Sequence, residues 1–425
     1  MNIGIIGAAG GMGKAYATRF ASLGHTIFVS DKKQDELQKA YSGVRNVAIM
    51  PTNQEVARNS DLLIYSITPL GSIEEVIRES IGSVKPGAIV GGFTSVKAKE
   101  VAALLRYAPV GVEVVAMHPM HGPTLDPKGQ TFILIPARVE GETVTQKLEE
   151  LLIPLGPKVV HLDSAAEHDK ITADTQVLTH FTLFTMGDAW RRLSVIPSAH
   201  PTYQNPIDDL KALMTQRLLS QNLDVYSGIA VENPEARRQV QEYVASLHGL
   251  MQFSIRARDS EVAKSHLLGF ARVPRDYLGR DKIREAEETL EALFGTKLNF
   301  EDHLNSQTSL IAKGITWTVL GIMPSENLAF KSPPYEILSL MTYAVFGRGF
   351  ETFIRNMIHN SETQEHDYVF STSAAALAEC ITRGDEATYK AHLEEARSHF
   401  PQEQLVEARR VTDGLISKLA VIHAK

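Results

Sequence analysis

Three short segments carry side chains that can move protons or hold anions: Ser66-Ile67-Thr68-Pro69, Thr94-Ser95-Val96-Lys97 and His118-Pro119-Met120-His121-Gly122-Pro123. Each follows an apolar run that reads as a β-strand. All three therefore fall at the carboxyl ends of successive strands, the edge of an open α/β sheet where ligands bind. The chain has 15 histidines, and a histidine after a strand is more often structural than catalytic. His118 is singled out because it joins a buried strand to a Pro/Gly-rich loop on that edge, with His121 as its competitor. Ser66 and Thr94 carry hydroxyls at the same edge and are candidate cofactor contacts.

Upstream, Gly7-Ala8-Ala9-Gly10-Gly11-Met12-Gly13 follows a strand and opens a helix. Its spacing is Gly-x-x-Gly-x-x-Gly. The early glycines permit a tight turn and close backbone approach to a pyrophosphate, and Gly13 lets the helix pack on the strand. The helix N-terminus then offers free N–H groups to the anion. This assigns Gly7, Gly10, Gly11, Met12 and Gly13 to a dinucleotide. Asp31, at the end of the second strand, can accept hydrogen bonds from the adenosine ribose, which favours NAD. Lys32 and Lys33 follow, and could pair with a 2′-phosphate if the acid turns away. NAD and NADP both stay open.

These residues need a sheet to hold them, and the first 160 or so residues alternate short apolar runs with helical patterns, the mark of βαβ units. Strands are expected at 3–6, 26–30, 62–66, 88–92, 113–117, 131–135 and 158–161, with helices over 13–23, 73–81 and 143–152. From about Ala165 the strand signals stop. The rest reads as helices, broken at Ile196 to Pro206, Pro324 to Ser325 and Lys331 to Pro334. The expected fold is α/β followed by all-α. Residues 1–164 form a Rossmann-like, doubly wound, mostly parallel sheet, and residues 165–425 a helical substrate and dimerisation domain. Arg217 through Gly228 echoes Glu336 through Gly347, and Gln176 to Trp190 loosely echoes Gln307 to Gly321. Two similar halves would be a duplicated bundle, although helical periodicity alone also produces such echoes.

Composition narrows the partners. Hydrophobic residues at 44% and charged residues at 22% are ordinary globular usage. A formal net charge of -7 without a Lys/Arg stripe argues against nucleic acid. One cysteine, Cys380, excludes an internal disulfide and a cysteine metal cage, and no metal is expected. No run of 18 apolar residues suggests a membrane span, and no signal-peptide pattern precedes the strand at Asn2. A cytoplasmic protein is expected.

The chain resembles the prephenate and arogenate dehydrogenases of tyrosine biosynthesis, especially the fungal prephenate dehydrogenases. The resemblance rests on Gly4-Ile5-Ile6-Gly7, Thr94-Ser95-Val96-Lys97, the His118 segment, and Glu167-His168-Asp169-Lys170-Ile171-Thr172-Ala173-Asp174-Thr175-Gln176 leading to Thr179-His180. It implies oxidative decarboxylation of prephenate to 4-hydroxyphenylpyruvate with reduction of NAD or NADP. His118 would be the base that takes the ring hydroxyl proton, and Ser95 a hydrogen-bonding partner of that hydroxyl. An arginine clamps a carboxylate in the family, and Arg217 is matched to it, because a guanidinium gives a bidentate, permanent charge. His180 matches a histidine near the substrate, and Gln176 is placed one helical turn earlier on the same face. Glu336, matched to Arg217 in the second echo, would repel a carboxylate. Asp169 is expected to cap its own helix, with the His168-Asp169 pair anchoring rather than reacting.

The alternatives are arogenate or a related cyclohexadienol as substrate and, in a different class, a non-catalytic NAD(P)-sensing protein, which intact Ser95 and His118 argue against. A monofunctional enzyme is expected, with no mutase segment before the glycine loop and no regulatory module after residue 360. The family's habit of homodimerising through the helical domain is one expectation. A duplicated chain supplying both halves is the other.

Overall fold

The structure is a computed structural model and describes residues 1–68, 70–141, 143–300, 303–324, 330 and 332–423. Pro69, Ser325 and Lys331, which the sequence places in loop segments, lie outside the described residues. The chain forms two compact units. The first is built on Met1–Thr172 with a return at Glu232–Pro234; the second contains Ala173–Val231 and most of the chain beyond Pro234.

The first unit alternates strands and helices: β1 Asn2–Ile6, α1 Gly11–Ser22, β2 Thr26–Ser30, α2 Gln34–Tyr41, β3 Val47–Ile49, α3 Asn53–Asn59, β4 Leu62–Tyr65, α4 Ile73–Ser80, β5 Ile89–Gly92, α5 Lys97–Tyr107, β6 Glu113–Pro119, β7 Thr131–Arg138, α6 Thr143–Leu152, β8 Lys158–His161 and α7 Ala165–Thr172. The strands form one sheet in the order β3-β2-β1-β4-β5-β6-β7-β8. Only the β6–β7 pairing is antiparallel. Alternate residues of each strand feed opposite faces. Ile3, Ile5, Leu62 and Ile64 pack with Tyr16 and Phe20 of α1 on one side. Ile6, Leu63 and Tyr65 pack with Ile73 and Ile77 of α4 on the other. Helices on both faces make the sheet doubly wound, and each fully buried Ile or Leu contributes about 1.5–3 kcal/mol.

The sequence missed β3, whose three residues are too short for a periodic signal. It also ended the sixth strand at Met117 and placed His118 in the following loop. In the structure β6 continues to Pro119, because antiparallel β7 pairs His118 with Ile133 and Pro119 with Phe132. Conversely, Ser66, expected as the last residue of its strand, lies just beyond β4.

The second unit is helical: α8 Thr179–Leu193, α9 Pro206–Leu219, α10 Leu223–Glu232, α11 Ala236–Ala257, α12 Glu261–Leu278, α13 Arg280–Phe294, α14 Thr308–Leu320, α15 Pro333–Val345, α16 Phe350–His359, α17 Ser361–Arg383, α18 Glu386–His399 and α19 Gln402–His423. Helices α8–α13 are matched in order by α14–α19, each set with a long fourth helix. Packing is reciprocal as well: α11 lies on α14 as α17 lies on α8, and α9 on α19 as α15 on α13. The bundle is thus two interleaved copies of one six-helix pattern. Its register corrects the sequence echo. Both α9 and α15 begin with proline after a polar N-cap residue, Asn205 or Ser332, so Pro206 aligns with Pro333. Arg217 then corresponds to Ala344 instead of Glu336, which lies in the first turn of α15. The error arose because Leu/Ile-rich helices look alike at several offsets. Among the described residues no helix is long and apolar enough to cross a membrane.

Candidate active site

The glycine loop is held by contacts that only glycine permits. Gly7 has φ +86°, and its amide donates to Ser30 O at 2.9 Å. A Cβ on Gly13 would lie 2.5 Å from Gly7 O and 2.9 Å from Ala8 Cα, both backbone atoms that cannot step aside. Gly10 is the N-cap of α1 and supplies no side-chain cap, so the first N–H groups of the helix at Gly11, Met12 and Gly13 are open to an anion. Asp31 accepts from Ala9 N at 3.0 Å and Lys33 N at 2.9 Å. The acid is thereby turned onto the glycine loop. Lys33 pairs with Glu36 at 3.0 Å, while Lys32 is exposed. These features fit a dinucleotide: a bare helix N-terminus, a glycine turn and an acid at the end of β2.

Next along the carboxyl edge, the loop after β5 carries Thr94 and Ser95. Thr94 Oγ1 donates to Val96 O at 2.8 Å and its amide donates to Glu100, so Thr94 also shapes its own loop. Ser95 is half-buried and Ser66 partly exposed. Beneath them Lys97 and Glu100 form a fully buried pair at 3.0 Å. Lys97 Nζ also donates to Gly92 O at 2.9 Å and Met117 O at 2.7 Å, tying the ends of β5 and β6 together one residue from His118. Burial pushes the lysine down and the glutamate up, and each partner opposes the other's shift.

His118 is buried, and its Nδ1 lies 2.8 Å from His168 Nε2. His168 Nδ1 lies 2.8 Å from Asp169 Oδ1, and Asp169 accepts from the Lys97 and Ala98 amides at 2.8 Å each. Asp169 therefore caps a helix, but the helix is α5, some 72 residues earlier in sequence, and not its own. The direction of this chain follows from its acceptor end. A carboxylate can only accept, so His168 carries its proton on Nδ1 and offers a lone pair at Nε2. His118 must then donate from Nδ1, which leaves its Nε2 unprotonated. Burial first, then His168 and Lys97, hold His118 well below the ordinary imidazole value, and burial does the same to His168. Burial raises Asp169 to about 6, against the pull of the two amides and Lys97. His121 is fully engaged, with Nδ1 at 2.9 Å from Gly122 O and Nε2 at 3.0 Å from the Tyr16 hydroxyl. Of the two histidines in the segment, only His118 has a nitrogen prepared as a base.

In the helical unit, His180 and Arg217 both neighbour Tyr226, a residue the sequence did not single out. The His180 ring meets Tyr226 edge-on, with centroids 4.7 Å apart, and the Arg217 charge acts on the Tyr226 hydroxyl, which burial pushes up to about 12. His180 is pulled to about 3 by burial and by Lys313, and its Nδ1 has no hydrogen-bond partner. It is a neutral donor or acceptor. Arg217 is buried, bonds Thr412 Oγ1 at 3.2 Å and pairs with Asp413, while its Nε is unpartnered. Gln176 lies in a π-helical stretch, Ala173–Leu178, so the spacing to His180 assumed for a regular α-helix does not apply there.

The Rossmann sheet, the dinucleotide loop and a neutral histidine on the ligand-binding edge define a nicotinamide-dependent dehydrogenase. Residues 15–161 match the family model "Prephenate dehydrogenase, nucleotide-binding domain", and residues 177–421 match a family model for a 6-phosphogluconate dehydrogenase C-terminal domain. The chain is 31% identical to a probable prephenate dehydrogenase [NADP(+)] of Schizosaccharomyces pombe, covering 98% of this chain and 97% of that one. It is 29% identical to the prephenate dehydrogenase [NADP(+)] of Saccharomyces cerevisiae, covering 98% and 93%. A crystal structure of prephenate dehydrogenase from Aquifex aeolicus shares the fold, with a TM-score of 0.52 at 20% identity over 66% of this chain and 98% of that one. The chain belongs to the prephenate dehydrogenase family.

Proposed function

We propose that this enzyme is an NADP-dependent prephenate dehydrogenase of tyrosine biosynthesis, with His118 Nε2 as the base. The observation that carries this assignment is the hydrogen-bond chain from Asp169 through His168 to His118, which fixes one tautomer and presents an unprotonated nitrogen. As the ring carbon bearing the hydroxyl becomes a carbonyl, that hydroxyl must lose its proton, and His118 takes it. The imidazolium formed is stabilised by the Asp169 carboxylate at the far end of the chain. Ser95 is assigned a hydrogen bond to the same hydroxyl. His180, Gln176 and Arg217 are assigned substrate contacts, supported for two of them by their grouping at Tyr226. The bound nicotinamide supplies a hydride acceptor, and loss of carbon dioxide leaves an aromatic ring.

Gly7, Gly10, Gly11, Met12 and Gly13 would hold the pyrophosphate, with Ser66 and Thr94 on the same edge. NADP is preferred over NAD because Asp31 is turned to the glycine loop, which leaves Lys32 for a 2′-phosphate, and because the two fungal relatives are named for NADP. Lone, buried Cys380 suits a reducing, cytoplasmic setting. The paired helical halves support one chain in place of a homodimer, and sedimentation should return a mass near 46.8 kDa. The decisive assay follows NAD(P)H absorbance with prephenate or arogenate against NAD or NADP, beside His118→Asn. Turnover of prephenate with NADP, lost in the variant with NADP affinity kept, is expected. Preference for arogenate moves the substrate assignment, and no turnover in any combination overturns the enzyme reading.

A further inference from the structure

Two imidazoles and a carboxylate converge in the helical unit, on residues that the reaction does not use. His200 lies where the single turns Pro197–Ala199 and Pro201–Tyr203 meet, between α8 and α9. Glu362 and His366 are one turn apart near the start of α17. Their candidate ligand atoms all lie within 4.8 Å of one another. His200 Nδ1 is 3.6 Å from Glu362 Oε1, too far for a good hydrogen bond, and this nitrogen is buried without a hydrogen-bond partner. The two imidazole centroids are 5.3 Å apart. Protons fit this arrangement poorly, because charging either ring opposes charging the other, and a buried nitrogen left unpaired costs about 1–3 kcal/mol. A cation would satisfy all three groups.

The surrounding side chains already orient such ligands. The Tyr203 hydroxyl lies 2.8 Å from His366 Nδ1, and the two rings are stacked within 4° of parallel. This leaves His366 Nε2 to ligate. Thr202 donates to Glu362 Oε1. Outer hydrogen bonds of this kind fix the tautomer and pose of metal-binding histidines and carboxylates. The set is not a by-product of the helical repeat. Aligning α17 with α11 places Arg237 and Gln241 opposite Glu362 and His366, and neither side chain suits a divalent cation.

We propose that His200, Glu362 and His366 bind one divalent transition-metal cation, with zinc the best chemical match, which staples the α8–α9 connection to α17. Zinc takes imidazole nitrogen and carboxylate oxygen at about 2.0–2.2 Å in tetrahedral geometry, which sets ligand atoms about 3.4 Å apart. Closing the present cluster to that spacing takes side-chain rotation alone, with water as the fourth ligand. Two imidazoles disfavour magnesium and calcium, which prefer oxygen.

The test titrates metal-stripped, tag-free, full-length protein with zinc chloride against a chromogenic chelator, and records the visible spectrum with cobalt(II). One zinc per chain is expected, together with a rise in thermal midpoint and a tetrahedral cobalt band. His200→Ala combined with His366→Ala should lose all three. Glu362→Gln, which conserves size, should weaken binding at least tenfold, and Tyr203→Phe by about 10- to 100-fold. His118→Asn should bind zinc as the wild type does, because His118, His121 and His168 form a separate histidine group. Without metal, every variant should melt near the metal-free wild type. Absence of zinc binding in the wild type, binding that persists in the double variant, or binding lost in His118→Asn each overturns the proposal.

Discussion

Replacing Asp169 with Asn should silence His118 without touching it. The exchange keeps size and shape but turns one acceptor oxygen into a donor NH2. If that NH2 faces His168, it can only donate to Nδ1, so the His168 proton moves to Nε2. His168 then donates to His118 Nδ1, and the His118 proton must sit on Nε2, where the substrate hydroxyl needs a lone pair. If the NH2 instead faces Lys97 N and Ala98 N, a buried donor meets a donor and the α5 cap is lost, at a cost of about 1–3 kcal/mol of stability. General-base catalysis is worth about 10²–10⁴-fold, and an orienting Asp→Asn exchange in a serine-protease triad costs about 10⁴ through the wrong tautomer. A loss in kcat of about 10²–10⁴, or about 3–5 kcal/mol in the barrier, is expected here. The assay is steady-state turnover of prephenate with NADP, alongside NADP affinity and the thermal midpoint. NADP affinity should stay within about twofold, since the Asp169 carboxylate is engaged with His168 and the start of α5 rather than with the glycine loop. The His118→Asn, Asp169→Asn double variant should be no slower than His118→Asn alone, because residues acting as one unit are not additive. A variant with near wild-type kcat, or one whose loss adds fully to that of His118→Asn, refutes the tautomer chain.

The remaining predictions concern stability and selectivity. His180 is depressed to about 3, so the unfolded chain takes up a proton near pH 6.5 that the folded chain refuses. Stability is then fully present above pH 6.5 and falls by about 1.4 kcal/mol per pH unit below it. Urea midpoints at pH 7 and pH 5 should show His180→Gln narrowing the wild-type difference by about 2 kcal/mol; an unchanged difference rejects the buried neutral histidine. Lys97→Met leaves Glu100 buried without its countercharge and should cost about 3–5 kcal/mol, measured by urea denaturation, while Lys97→Met with Glu100→Met should cost less than the sum of the two. Lys32→Ala should raise KM for NADP by about twofold to fivefold, as befits an exposed charge, and leave KM for NAD alone. An equal change for both cofactors removes Lys32 from the 2′-phosphate.

Local sequence carried the sheet. Runs such as Leu62-Leu63-Ile64-Tyr65 are apolar at every position because both faces are covered, and the glycines at 7 and 13 mark where backbone approaches backbone. These signals come from near neighbours and can be read in a short window. The same window placed His118 on the ligand-binding edge, and the family resemblance gave it a role. It could not show that His118 lies inside β6, because the last two residues of that strand exist through pairing with β7. Asp169 has the chemistry of a cap, and its sequence position suggests the wrong helix.

What the sequence by itself determined is a Rossmann-like sheet, a dinucleotide loop, a helical second half and the histidine most suited to take a proton. Tertiary structure alone decided which nitrogen of that histidine is free, since His118 and His168 are 50 residues apart and Asp169 is held by amides 72 and 71 residues away. It also decided the register of the helical repeat, and it brought together His200, Glu362 and His366 from two distant segments. The physical reason is the same in each case. Periodicity and turn chemistry are properties of adjacent residues, whereas the direction of a hydrogen bond and the closure of a polar cluster depend on which distant groups the packed chain sets against each other.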